Sequence, residues 1–291
     1  DISPSPWHAT QTVANSLKQH NFTELLETEP WALEASGRYY IQRDDSSIIA
    51  FTTGSENLAE QGFNIIGAHT DSPGLRVKPK PDKQDNGYHR LGVEVYGGPI
   101  LATFSDRDLS FAGRVHYRQN KHICSQLVHF EQPLLRLPNL AIHINRNVNE
   151  KGLIFQKQNE LPLLLGIVND QLTETPSLAQ LIAQQLSIPA KDISSWELHI
   201  CDTQPGTLYG IQKEFLANSQ LDNLASCHAG LNALISDPSL NGGQFNVCAF
   251  FDHEEIGSNS HKGADGSFLT DALERIAKSM GLDSEGYKRA L

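Results

Sequence analysis

The sequence predicts an α/β protein in which a central mixed sheet flanked by helices is interrupted by an inserted β-rich module. Three observations point there. First, apolar runs near both ends of the chain, Phe63 to Ala68 and Phe245 to Phe251, read as short buried strands, and each is followed at once by a polar, carboxylate-bearing turn. Second, helix-spaced apolar positions accompany them: Val13, Leu17, Leu25 and Leu26 at the start, then Leu224, Cys227, Leu231 and Leu234. Third, residues 91 to 170 change rhythm, with short β-like runs separated by turn residues.

In chain order, Pro30 ends the first helical pattern. Tyr39-Tyr40-Ile41 and Ser47-Ile48-Ile49-Ala50-Phe51 read as paired strands. The strand at 63–68 ends in the turn His69-Thr70-Asp71-Ser72-Pro73-Gly74. The stretch 79–87, rich in Pro, Lys and Asp, reads as a loop and a domain boundary. The β-like runs are Gly92–Tyr96, Leu101–Phe104, Gly113–Tyr117, Leu127–Phe130 and Leu161–Val168. A helix near Ser177–Leu186 and a strand near Trp196–Asp202 follow. Asp222-Asn223 is placed to cap the next helix. A last helix runs from about Ser267 to Met280. The expected organisation is 1–88 and 216–291 as one α/β domain around an inserted β-rich domain at 89–215.

Composition narrows the function. The chain has 291 residues, ordinary apolar and charged fractions, and a formal net charge of −11. That charge argues against nucleic acid and against an anionic membrane surface, both of which need a basic footprint. Cys124, Cys201, Cys227 and Cys248 form no C-x-x-C pair and read as reduced thiols of a cytoplasmic protein. No apolar run approaches the ~20 residues of a membrane span. The opening Asp1-Ile2-Ser3-Pro4-Ser5-Pro6 has no basic or apolar segment of a signal peptide, and without an initiator Met it is expected to be preceded by further residues.

The chemistry concentrates at the two strand ends. A neutral imidazole at His69 suits zinc, and Asp71, two residues on, can accept the proton of the other ring nitrogen and fix the tautomer. The same residues would serve as a plain polar turn. Glu254 and Glu255 are adjacent carboxylates after an apolar strand, costly to bring together without a cation. One could bind a metal while the other takes a proton from water, or both could form a solvated acidic loop. Asp222 is either an N-cap or a carboxylate bridging two metals.

Taken together, His-Thr-Asp-Ser-Pro-Gly at 69–74, Gln-Leu-Asp-Asn-Leu-Ala-Ser at 220–226 and Phe-Asp-His-Glu-Glu-Ile-Gly-Ser at 251–258 resemble the metal-site motifs of the M18 aspartyl aminopeptidase family. Ser-Pro-Ser-Pro-Trp-His-Ala at 3–9 and Phe-Ser-Asp-Arg-Asp-Leu-Ser-Phe-Ala-Gly-Arg-Val at 104–115 also resemble it, so the likeness spans the chain. The resemblance implies a zinc-exopeptidase-like fold with the insertion acting as a dimerisation or lid domain. It implies His69, Asp222 and Glu255 as metal ligands, with Asp222 bridging. It makes Asp71 the orienting carboxylate and Glu254 the general base. His143, in Ala-Ile-His-Ile-Asn-Arg at 141–146, matches a substrate-binding residue that reaches a neighbouring subunit, or is a polar strand residue. The resemblance further implies two zinc ions, peptide substrates beginning with Asp or Glu, and a large homo-oligomer, often a dodecamer.

The family's remaining two ligands, an Asp and a His, come from sequence after the last helix of this chain. His261 and Asp265 sit in no matching motif. The expectation is therefore that residues 1–291 alone bind the metal pair poorly and turn over little substrate. Two alternatives stay open: a metallo-aminopeptidase of different side-chain preference, or a non-catalytic assembly subunit that keeps the fold without metals.

Overall fold

A computed structural model describes every residue except 56, 169–175 and 237–242. Residues 169 and 170, the end of the stretch read as β-rich, thus lie outside the described residues. The chain separates into two compact units. One holds Pro6–Ser72 and Gln220–Leu291, and the other holds Pro73–Ser219.

The first unit begins with α1 (Pro6–Gln19), β1 (Thr23–Glu24), β2 (Arg38–Arg43), β3 (Ser47–Thr52), the single turn α2 (Leu58–Gln61) and β4 (Phe63–His69). In the second unit follow β5 (Gly74–Asp85), β6 (Tyr88–Tyr96), β7 (Leu109–Gln119), β8 (His122–His129), the turns α3 (Val148–Lys151) and α4 (Lys157–Glu160), β9 (Leu163–Ile167), α5 (Leu178–Leu186), β10 (Ile193–Asp202), β11 (Thr207–Tyr209) and β12 (Phe215–Ala217). The chain returns to the first unit with α6 (Leu221–Ser236), β13 (Phe245–Phe251), α7 (Phe268–Ser279) and α8 (Ser284–Ala290).

The first unit is the expected mixed sheet flanked by helices. Its strand order is β1-β2-β3-β13-β4, with β13 antiparallel to β3 and parallel to β4. Side chains of β3 and β13 alternate between two buried faces, as period-2 geometry requires. Ile48, Ala50, Cys248 and Phe250 meet Val13 and Leu17 of α1 and Cys227, Leu231 and Leu234 of α6. Ile49, Phe51, Val247 and Ala249 meet Phe268, Ala272, Leu273 and Ile276 of α7. Burial on both faces explains why these strands read as continuous apolar runs. The strand at 63–68 does not follow the expectation of burial. Among the described residues it is the edge strand of the sheet, and Ile65 and Ile66 are 42% and 46% exposed.

The second unit is a six-stranded sheet, ordered β8-β7-β10-β5-β6-β9, plus the β11-β12 hairpin. Leu75, Val77, Leu91, Val93, Phe111, Val115, Leu198 and Ile200 form one apolar core with Leu178 and Ile182 of α5. Two segments differ from the sequence reading. Residues 79–87 are not a loop between domains: most of them continue β5 into a hairpin with β6, past a register shift between Val77 and Asp82. A strand interruption of this kind accommodates proline. The turn is Asn86-Gly87, both with positive φ, the dipeptide that a tight primed hairpin favours. The unit accordingly starts at Pro73, not at 89. Leu101–Phe104 is a 3-10 turn rather than a strand.

Close packing between β7 and β10 leaves no room at Gly113. A methyl group added there would stand 2.0 Å from the Glu197 carbonyl oxygen. Gly113→Ala must push the two strands apart, and overpacking of this kind costs about 1–3 kcal/mol. Urea unfolding should show a lowered midpoint, and an unchanged midpoint would contradict the pairing of Gly113 with Leu198.

Candidate metal centre

Strands β4 and β13 run parallel with Phe251 opposite His69, so the two acidic turns leave the sheet side by side at its carboxyl end. Thr70 donates its N–H to the Phe251 carbonyl at 2.7 Å and its hydroxyl to the Ser46 carbonyl at 2.7 Å. Asp71 follows, with a side chain fully shielded from solvent. Its carboxylate accepts the backbone N–H of Glu254 on Oδ1 and that of Glu255 on Oδ2, both at 3.2 Å. The chain reaches this arrangement through His253, held at φ 68°, and leaves it through Gly257 at φ 97°. Glycine adopts that conformation without the steric cost a side chain would add.

The His69 imidazole lies between two sets of carboxylates. Nδ1 faces Asp71, 3.0 Å from its carbonyl oxygen and 3.3 Å from Oδ1. Nε2 faces outward, 3.5 Å from Asp222 Oδ1 and 3.7 Å from Glu254 Oε2. Burial disfavours the imidazolium, but hydrogen bonds and charge from Asp71, with the charge of Glu254, outweigh it and leave the His69 pKa raised. Burial raises the Glu255 carboxyl, and the charges of Asp71 and Glu254 add to that effect.

Asp222 arrives from a third direction. The start of α6 is not regular: Asp222 and Asn223 have non-helical dihedrals, and the peptide between them is cis. The Asp222 carbonyl accepts the Ser72 hydroxyl at 2.7 Å, and its side chain is 77% exposed. Asn223 Oδ1 accepts the His69 N–H at 3.1 Å, and the Cys227 thiol donates to the His69 carbonyl at 3.1 Å. Sequence reasoning gives no such role to these three tethers, Ser72, Asn223 and Cys227. The Asn beside Asp222 is the available signal for one of them.

One ligand atom each from His69, Glu254 and Glu255 lie within 4.8 Å of one another. An imidazole nitrogen and carboxylate oxygens are donors that zinc accepts. The crowding that raises Glu255 is what a divalent cation would relieve, so the donor set fits the metal. His143 belongs to the other unit, where it sits on an exposed turn rather than a strand. His261 and Asp265 are both exposed.

Cys227 gives a check on this environment. Burial, reinforced by the nearby Asp71 charge, pushes its thiol up to about 12. Only the thiolate alkylates, so at pH 8 iodoacetamide should modify the half-buried Cys124 well before Cys227. The Cys227 rate should climb roughly tenfold per pH unit from pH 8 to 10. Peptide mapping that finds equal labelling at pH 8 would contradict this burial.

Known proteins resemble this chain along nearly all of its length. The family model for the aminopeptidase I zinc metalloproteases (M18) matches residues 1–290. A probable M18 family aminopeptidase 2 of Stutzerimonas stutzeri is 46% identical over 295 residues, covering 99% of this chain and 66% of the relative. A protein of the same description from Clostridium acetobutylicum is 44% identical over 292 residues, covering 99% and 67%. The chain thus spans about two thirds of the length of the curated relatives it matches. The structure of an Ape4–Nbr1 complex superposes with a TM-score of 0.94 at 37% identity, covering 99% of this chain and 59% of that one. The S. cerevisiae mApe1 dodecamer gives 0.80 at 28% identity, covering 96% and 64%. By sequence along its whole length and by fold, the chain belongs to the M18 family of zinc metallopeptidases.

Proposed function

We propose that this chain carries the larger part of the active centre of a two-zinc aminopeptidase that removes N-terminal Asp or Glu from peptides. The observation behind the reading is the gathering of His69, Asp222, Glu254 and Glu255 around one point at the ends of two parallel strands, in a member of a zinc-peptidase family. In this reading His69, Asp222 and Glu255 hold metal, with Asp222 shared between two ions. Zinc would supply Lewis acidity, making water easier to deprotonate and polarising the scissile carbonyl.

The chain's own residues account for the rest. Asp71 engages Nδ1 of His69 and so leaves Nε2 as the outward nitrogen. It also fixes the backbone of the glutamate pair, so Glu254 and Glu255 project from one rigid turn. Glu254, half-exposed with Oε2 beside the imidazole, takes a proton from the attacking water and returns it to the leaving amine. In this reading His143 is a substrate-binding residue that reaches the centre of a neighbouring subunit. That role requires a homo-oligomer; the S. cerevisiae mApe1 structure is a dodecamer. Four free cysteines accord with a cytoplasmic setting, and no described helix is long and apolar enough to cross a membrane.

The test uses the intact protein. Glu254→Gln should keep its zinc content and lose 10²–10⁴-fold in kcat, the range typical of a general base. Near-normal turnover would remove Glu254 from the role. Side-chain preference is a separate measurement. Asp and Glu anilides should be cleaved faster than Leu and Lys anilides, and the opposite order would replace the acidic preference with that of a related metallo-aminopeptidase.

A further inference from the structure

We infer that Lys262 is a positioning residue of this centre: its buried ammonium ties together the two turns that carry the carboxylates. The inference rests on the metal reading above only for its zinc readout. Lys262 is 2% exposed, which is unusual for lysine. Its Nζ lies 2.8 Å from Asp44 Oδ2, 2.9 Å from Ser46 Oγ and 2.9 Å from Asp252 Oδ2, and 5.2 Å from the centre of the Trp7 ring.

Each partner leads to the centre by a short path. Asp252 is the residue after β13, and its Oδ1 accepts the N–H of His253, which immediately precedes the glutamate pair. Ser46 accepts Thr70 at its carbonyl, and Thr70 joins His69 to Asp71. The Lys262 carbonyl accepts the Ser47 hydroxyl, whose oxygen accepts the Asp252 N–H, both at 2.8 Å. His253 is held from the far side by Ser260, whose hydroxyl also accepts the Gly263 N–H. One cation therefore joins the 44–47 hairpin to the 252–263 loop, and the 69–71 turn is attached to the same hairpin through the Ser46 carbonyl. Asp252 and Lys262 are both nearly inaccessible, so neither charge can turn to water if the other is removed. His253 must meanwhile hold a positive φ, a conformation that persists only when its surroundings over-determine it. Lys262 supplies part of that surrounding through Asp252.

Two variants of the intact protein separate positioning from stability. Lys262→Met takes the ammonium away from the buried Asp252, leaving it only the His253 N–H and, at 3.7 Å, the His253 ring, and should lower the melting temperature. Asp252→Asn combined with Lys262→Met removes both charges and should recover much of that loss. If Lys262 positions the turn, amides of the 252–256 peptide in the double variant should exchange with solvent at least tenfold faster. Protection of the 245–251 strand should persist as the check of folding. Zinc affinity, measured against a chromophoric chelator, should fall 10–100-fold, the range expected when outer partners of a ligand are lost. Wild-type exchange at 252–256 together with wild-type zinc affinity in a folded double variant would overturn the inference. Failure of the unaltered protein to bind zinc would sink the metal reading instead, and the exchange rates alone would then decide Lys262.

Discussion

The centre depends on one buried carboxylate. Asp71 is removed from water and must find its hydrogen bonds inside the protein. It finds them in two successive backbone amides of a different strand's turn and in the ring of His69. This single acceptor sets the distance between the two turns, the direction of the imidazole and the path of the glutamate pair. Its charge also raises His69 and adds to the burial that raises Glu255. A neutral residue of the same shape would lose both effects, because each oxygen faces a donor.

Asp71 can reach across only because β4 and β13 are parallel neighbours in register. Their pairing is secured from β13, which is buried on both faces between α1 and α6 on one side and α7 on the other. The rigid strand is thus the one that carries Glu254 and Glu255. The edge strand β4 is more exposed and is fastened instead at its end, by Asn223, Cys227, Thr70 and Ser72. Those tethers join the strand end to α6 and the 44–47 hairpin, which explains why residues far apart in sequence share one point. His69 thus sits on a strand end and the glutamate pair on the turn just past another, both braced by loops and a helix start, and support from rigid elements of this kind holds side chains precisely.

Much of this was legible in the sequence because burial on two faces writes itself as uninterrupted apolar runs. Phe245 to Phe251 is such a run, and the polar turn after it stood out by contrast. The inserted unit was legible from its turn rhythm, but its start was not. Pro79, Pro81 and the lysines around them hid the outer half of a hairpin, whereas Asn86-Gly87 was the better guide. The edge position of β4 was invisible, since Ile65 and Ile66 look like core residues in a sequence and are half-exposed in the fold. Leu101 to Phe104 shows the same limit, because a four-residue apolar run carries too little periodicity to separate a strand from a helical turn. Lys262 was illegible for the opposite reason. Lysine is presumed solvent-facing, and only the fold reveals that Asp44 and Asp252 converge on it.

The adjacent glutamates show how one turn can serve two purposes. Their backbone amides share Asp71, so neither can move without the other. Their side chains nevertheless meet different surroundings. Glu254 is 52% exposed with an oxygen near the outward nitrogen of His69, while Glu255 is half-buried and crowded by negative charge. Within the proposed reading, the crowded carboxylate gains most from a cation and so suits a ligand. The exposed one keeps access to water and so suits a base. Differences in environment, more than residue type, separate paired carboxylates into distinct roles. The pair could not be divided this way on a flexible loop, where each side chain would sample both surroundings. The rigidity supplied by Asp71, and through Asp252 by Lys262, is what turns two identical side chains into two different groups.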